Sequence, residues 1–159
     1  MNSDKDPLEN KKWNEERYLK ERVEDQISWY DKKSIDEQKR YKRYSYVILG
    51  ASSFIPLVTI LTTENVCYRI VVCLLGIATS ISQGIINLND YNENWIEYRT
   101  VCETLKKEKF MYLSKAGVYS SAESRFEYFV ERIESIISQE NVNWAGIKKD
   151  KKEGKSNGA

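Results

Sequence analysis

The chain has 159 residues, enough for one domain, and its 25 Lys and Arg against 24 Asp and Glu leave a formal net charge of +1. A balance so near neutrality argues against direct nucleic-acid binding, which needs a basic excess on one face. Histidine is absent, and Cys67, Cys73 and Cys102 form no CxxC pattern, so the commonest general base, a zinc site and a disulfide framework are all disfavoured.

Residues 1–6 read as disordered. Asp6-Pro7-Leu8-Glu9 then predicts a helix start, with Asp6 as N-cap, Pro7 at the first helical position and Glu9 in the capping-box place. The acidic, polar N-terminus is not a cleavable signal peptide, so any membrane insertion falls to a later segment. Leu19, Val23, Ile27 and Tyr30, then Tyr41, Tyr44 and Ile48, recur at steps of three and four. Residues 7–43 therefore read as a long helical arm with one buried stripe, weakened in its middle by Ser34 and Glu37. Adjacent acids such as Glu15-Glu16 and Glu24-Asp25 read as solvated helix charges.

Two apolar runs follow, 44–61 and 66–88, joined at Thr62-Thr63-Glu64-Asn65. No charge falls between Arg43 and Glu64, or between Arg69 and Asp90. A bilayer core takes about 20 mostly apolar residues per helix. The prediction is a transmembrane hairpin, with a buried hairpin inside a soluble bundle as the alternative. Two helices apolar all round must be surrounded, and the rest of the chain is too polar to surround them. Lys39, Arg40, Lys42 and Arg43 stand directly before the first span, which places both termini in the cytoplasm. Attraction to anionic lipid is a compatible role. Arg69 sits where a long side chain can snorkel outward.

Pro56 should kink the first span and is a candidate hinge, with Ser52 or Ser53 available to the freed carbonyl. Ser45, Ser52 and Thr59 repeat every seven residues on one face. In the second span Gly76, Ser80, Gln83 and Asn87 follow at steps of four, three and four, and Asp90 and Asn94 continue the stripe. One reading of Ser80, Gln83 and Asn87 is contact between helices, and the sharper one is a pore lining.

Leu88, Tyr91, Trp95, Tyr98, Cys102, Leu105 and Tyr112 trace a heptad seam broken only at Lys109. This predicts a single helix from about Asn65 to Leu113, its 89–113 part a second cytoplasmic arm. The turn makes the long helices antiparallel, with residue i facing roughly residue 130 − i. Trp29, Tyr30 and Asp31 then belong to the same stretch of the pair as Trp95, Tyr98 and Arg99. Asp31 lies opposite Arg99, and Trp29 near Val101 and Cys102.

After a connection around Gly117, Ser120 or Ser121 is expected to cap a third helix over 121–139, with Glu123 at the box position for Ser120. Phe126, Phe129, Val130, Ile133, Ile136 and Ile137 give that helix one apolar face, which the arms can cover. A helix lying on the membrane is disfavoured by the acids Glu127, Glu131 and Glu134 on its polar side. Residues 146–159 read as a disordered basic tail.

The expected fold is therefore all-α, one helical domain over 7–145. A two-transmembrane hairpin extends into an antiparallel, coiled-coil-like cytoplasmic pair, with a third amphipathic helix packed on it. No P-loop, GxGxxG, GxSxG or HExxH motif occurs, and an enzyme, a metal and a cofactor are not expected. Binding, assembly and permeation remain.

The run from Arg22 to Ser34, including Trp29-Tyr30-Asp31, resembles the opening of the SLATT superfamily of two-transmembrane proteins. More narrowly it is similar to a bacterial branch catalogued as a domain of unknown function. Trp95, Tyr98-Arg99, Glu103, Leu105-Lys106, Glu108-Lys109, Tyr112, Gly117 and Tyr119 carry the same likeness, as do Phe129-Val130-Glu131-Arg132, Glu134, Glu140 and Trp144. The resemblance covers about Leu19 to Trp144. It implies a membrane effector of a bacterial conflict or antiphage defence system, in the inner membrane. Such effectors are associated with nucleotide-producing synthetases and nucleotide-sensing domains, and are thought to oligomerise into pores. The expected function is accordingly a homo-oligomeric, pore-forming membrane protein that works with a nucleotide-signalling partner. The alternative is a membrane-anchored scaffold or sensor whose cytoplasmic bundle recruits a partner.

Overall fold

The computed structural model describes residues 14–61, 66–121 and 124–139. The expected helix start at Asp6–Glu9, the link 62–65, the box residue Glu123, Glu140, Trp144 and the 146–159 tail lie outside these residues. Every regular element among the described residues is helical: α1 (14–18), a π-helical segment Leu19–Glu24, α2 (Asp25–Leu61), α3 (Val66–Asn89), α4 (Tyr91–Leu113), a 3₁₀ turn Gly117–Tyr119 and α5 (125–139).

The second long helix is not continuous. α3 ends at Asn89 and α4 starts at Tyr91, because Asp90 takes a left-handed backbone with φ +52°. Short polar residues such as Asp and Asn tolerate that region. Neighbouring amides support the break. Asn94 donates its backbone N–H to the Asp90 carbonyl and its Nδ2 to the Asn89 carbonyl, both at 2.9 Å, and Asn89 Nδ2 reaches the Ile85 carbonyl at 2.9 Å. The break re-phases the seam. Leu88, expected on it, is 73% exposed, and the buried line runs through Tyr91, Cys102, Leu105, Glu108 and Tyr112. It passes through Glu108, three residues after Leu105, where Lys109 had marked a gap.

α2 runs through Pro56 to Leu61. The hydroxyls of Ser52 and Ser53 do not serve the carbonyl that Pro56 frees. Both donate to the Leu49 carbonyl, at 3.2 and 2.7 Å, as serines in apolar helices commonly do.

The chain divides into two compact units, one comprising residues up to Asp31 together with those from Arg99 onward, the other Lys32–Tyr98. In the first, α5 packs on α1, α2 and α4. Its core is Val23, Tyr30, Cys102, Leu105, Tyr112, Tyr119, Phe129, Ile133 and Ile137, all at most 7% exposed. α4 ends in a left-handed cap: Lys115 has φ +54°, with Lys115 N–H to the Tyr112 carbonyl and Ala116 N–H to the Met111 carbonyl. Gly117 follows at φ +59°, a left-handed backbone that strains other residues and so favours glycine in the tight return before α5. α5 begins at 125, later than the expected 121. The Ser120 hydroxyl is bonded to the Gly117 carbonyl at 2.8 Å, and the Tyr128 N–H goes to the Ser124 carbonyl.

The second unit pairs α2 with α3 and the start of α4 over a thin interior, in which Ser34, Ala51, Ser82, Ile86 and Tyr91 are the buried residues among those described. Tyr44 stacks on Tyr91 with ring centroids 6.0 Å apart. Most of its large apolar side chains face outward, Phe54, Leu57, Ile60, Ile70, Leu74, Ile77 and Ile81 among them. Two helices here are long and apolar enough to cross a membrane. A core helix of a soluble protein would have such residues buried.

Candidate functional site

Ser45 and Ser52 of α2 meet Gln83 and Asn87 of α3 on one side of the helix pair. A cleft of about 480 Å³ lies between Tyr41, Ser45, Ile48, Leu49 and Ser52 of α2 and Gln83, Ile86, Asn87, Asp90, Asn92 and Glu93. Helical spacing makes this happen. Ser45 and Ser52 are seven residues apart, and Gln83 and Asn87 four apart, so each pair lies along one face. Gln83 Nε2 donates to Asn87 Oδ1 at 2.9 Å, which aligns the two amides along the helix. The left-handed step at Asp90 lets the chain contribute Asp90, Asn92 and Glu93 to the same cleft. The lining offers hydroxyls, amides and two carboxylates and contains no basic side chain. Such a surface suits water and cations rather than anions.

Of the residues read as pore-lining, Gln83 and Asn87 line this cleft and Ser80 does not. Ser80 is exposed further along α3, between Gly76 and Gly84. A Cβ at either glycine would meet nothing within 4 Å, so packing inside the chain gives no reason for glycine there. Pro56 lies outside the cleft and is exposed. Tyr41 was read from sequence only as part of the α2 stripe, and Asn92 and Glu93 were not singled out. The part of Asn92 and Glu93 depends on the turn at Asp90, for which the Asn89-Asp90 pair is the only sequence signal.

The pairing residues fall in both units. Arg99 Nη1 lies 3.0 Å from Asp31 Oδ1. Asp31 also accepts from Lys106 Nζ at 3.4 Å and from the Cys102 thiol at 3.7 Å, and Arg99 reaches Glu103 at 2.9 Å. Trp29 is 46% exposed, with its ring edge-on to Tyr30 at 4.9 Å. Trp95 Nε1 donates to Asn92 Oδ1 at 3.2 Å inside the second unit. Because Asp31 and Arg99 are both part-exposed, the direct pair contributes about 0.5–1 kcal/mol. Asp31→Arg and Arg99→Asp should each lower the thermal midpoint slightly, and the double exchange should recover only part of the loss. Arg at 31 would meet Lys106, and Asp at 99 would meet Glu103. Full recovery in thermal melts would contradict this network.

A second set of contacts closes the three-helix unit. Tyr119 donates to Glu108 Oε2 at 2.7 Å and Arg132 Nη2 to Glu108 Oε1 at 2.8 Å, with the Glu108 side chain 4% exposed. Burial pushes the Glu108 carboxyl up, but the Arg132 guanidinium and Tyr119 hydroxyl outweigh it and leave it below the usual carboxylate range. Tyr18 and Arg22 both converge on Glu134, and the Arg22 hydrogen bond holds that carboxyl below its usual value. Burial and its carboxylate partner push the Tyr119 hydroxyl well up. Two acids read as solvated charges are engaged here as well. Glu24 pairs with Lys109 at 2.7 Å, and Glu15 accepts from the Tyr112 hydroxyl. Arg22, Glu108, Tyr112, Tyr119, Phe129, Arg132 and Glu134, read from sequence as carrying a family resemblance, all belong to this closure.

A family profile described as "Protein of unknown function (DUF4231)" matches residues 25–127. No curated protein and no solved structure is matched.

Proposed function

The chain belongs to the DUF4231 family, and from that premise we propose that it is a homo-oligomeric two-transmembrane protein whose hairpins associate to permeabilise a bacterial inner membrane. The observation that carries this reading is the outward-facing apolar surface of α2 and α3 combined with a polar cleft at one end of the same pair. Two helices with so thin an interior need lipid or further copies around them. The open stripe Gly76, Ser80 and Gly84 supports close approach of a second copy. Gln83 and Asn87 supply a wetted path, and Asp90 and Glu93 bias it toward cations. Both termini are cytoplasmic, and the three-helix unit receives the signal. The likeness to SLATT proteins supports a role as effector of a conflict system with a nucleotide-signalling partner, and Pro56 as a hinge in α2 belongs to the same proposal.

Dye or ion leakage from proteoliposomes tests this. The wild type is expected to leak, and Gln83→Leu with Asn87→Leu to reduce leakage by about tenfold or more, since a dry constriction replaces a wetted one. Unchanged leakage in the double variant, or none from the wild type under any condition, would leave the hairpin as a tether and favour a scaffold that recruits a cytosolic partner.

A further inference from the structure

The second unit carries a group of cations that its own carboxylates do not neutralise. Lys39, Arg40, Lys42 and Arg43 are all exposed. Among the described residues none of the four has a carboxylate partner. In the first unit, by comparison, Arg22, Arg99, Lys106, Lys109 and Arg132 each have a carboxylate partner. Asp36 stands one helical turn before Arg40 and does not engage it. Asp90 and Glu93 line the cleft beside Tyr41.

The position of the cluster is specific. At about 100° per residue the four cations occupy one arc of α2, opposite the face of Tyr41, Ser45 and Ile48 that lines the cleft. They point away from the partner helix. Along the axis Lys39 to Arg43 spans about 6 Å, close to the depth of one headgroup layer, and the apolar run begins at the next residue. Tyrosines mark the same level: Tyr44 stacked on Tyr91, and Tyr46, which is 68% exposed. Such rings favour the membrane–water boundary.

We propose that Lys39, Arg40, Lys42 and Arg43 form a collar that binds the phosphates of anionic phospholipid headgroups in the leaflet where α2 enters the membrane. This rests on the hairpin spanning the bilayer. The geometry gives each cation a solvent-side arc at headgroup depth, so several lipids can be held at once, each by one or two side chains.

The test uses the full-length protein in vesicles of phosphatidylcholine with and without phosphatidylglycerol. Spin-labelled versions of each lipid report the fraction held at the protein surface. Spin-labelled phosphatidylglycerol should be preferred roughly fivefold or more, with the preference collapsing at high salt. Changing all four residues to Gln should bring it to about one, while Lys39→Arg with Lys42→Arg should retain it. Replacing Lys148, Lys149, Lys151 and Lys152 by Gln should also leave it intact. Preference kept in the first variant, or lost in the last, overturns the collar. Inorganic phosphate abolishing the preference more than chloride at equal ionic strength would assign the cluster to free phosphate and overturn the lipid reading. Carbonate washing separates the two levels. A wild type stripped from the vesicles overturns the spanning reading and the collar with it. A wild type that resists carbonate but shows no preference overturns the collar alone.

Discussion

Phe129→Ala is expected to release α5 from the three-helix unit. Phe129 is fully buried, stacked on Tyr112 at 4.3 Å and edge-on to Tyr119 and Tyr18 at 6.1 and 6.3 Å. Removing the ring deletes a large buried apolar surface and opens a void that three other aromatic rings border, at a cost of about 3–5 kcal/mol. Hydrogen exchange reads the result locally. Protection over 125–139 should fall steeply while α3, which belongs to the other unit, keeps its own. Phe126→Ala is the comparison. Phe126 is only part-buried and touches Tyr18 edge-on at 5.8 Å, so its loss should cost less. Equal effects from the two variants would mean that α5 is held by something other than the Phe129 stack.

The second large effect is expected at Glu108. Glu108→Ala leaves the Tyr119 hydroxyl buried without its acceptor and Arg132 without its anion, costing about 2–3 kcal/mol. Arg132 is 46% exposed, which keeps the figure below that of a fully buried pair. Glu108→Gln preserves an acceptor for Tyr119 and should lose about half as much. The same residue sets a pH response. Glu108 and Glu134 are both held below the ordinary carboxylate value of 4.5, so the folded unit takes up protons less readily than the unfolded chain. The stabilisation is complete above that value and is lost as the pH falls through the lowered ones. Acid titration of helix content should show the unit loosening below pH 4.5, with the Gln variant less stable at neutral pH and less sensitive to acid. An acid response identical to wild type in the Gln variant would remove Glu108 from this role.

Much of the architecture was legible because it depends on local periodicity. The apolar runs, the antiparallel return and the Phe129, Ile133 and Ile137 face of α5 each follow from which residue types recur at three and four. That Gln83 and Asn87 share one face of α3 was readable for the same reason. The features that escaped are those where one residue changes the count. Asp90 has ordinary spacing and ordinary polarity, and only its backbone angle ends α3 and turns Leu88 outward. Glu108 is an acid in a seam of hydrocarbons, so periodicity passes over it. Its burial becomes affordable only once Arg132 and Tyr119, 24 and 11 residues away, arrive beside it. Ser52 and Ser53 illustrate a third kind of miss. A nearby carbonyl one turn back competes with the carbonyl that Pro56 vacates, and sequence does not rank the two.

The closure of the three-helix unit bears on how the protein can be cut for expression. Residues 25–127 carry the family match and invite use as a fragment. Such a fragment would retain Glu108 and Tyr119 but lose Arg132, which neutralises the buried acid. It would lose Tyr18 and Arg22 at one end and Glu134 at the other, so both sides of that clasp vanish together. Phe129, Ile133 and Ile137 go too, leaving Leu105 and Tyr112 open to water. Boundaries drawn by likeness alone would thus yield a sticky hairpin with a stripped base. Those that respect the packing begin before Asn14 and end after Gln139.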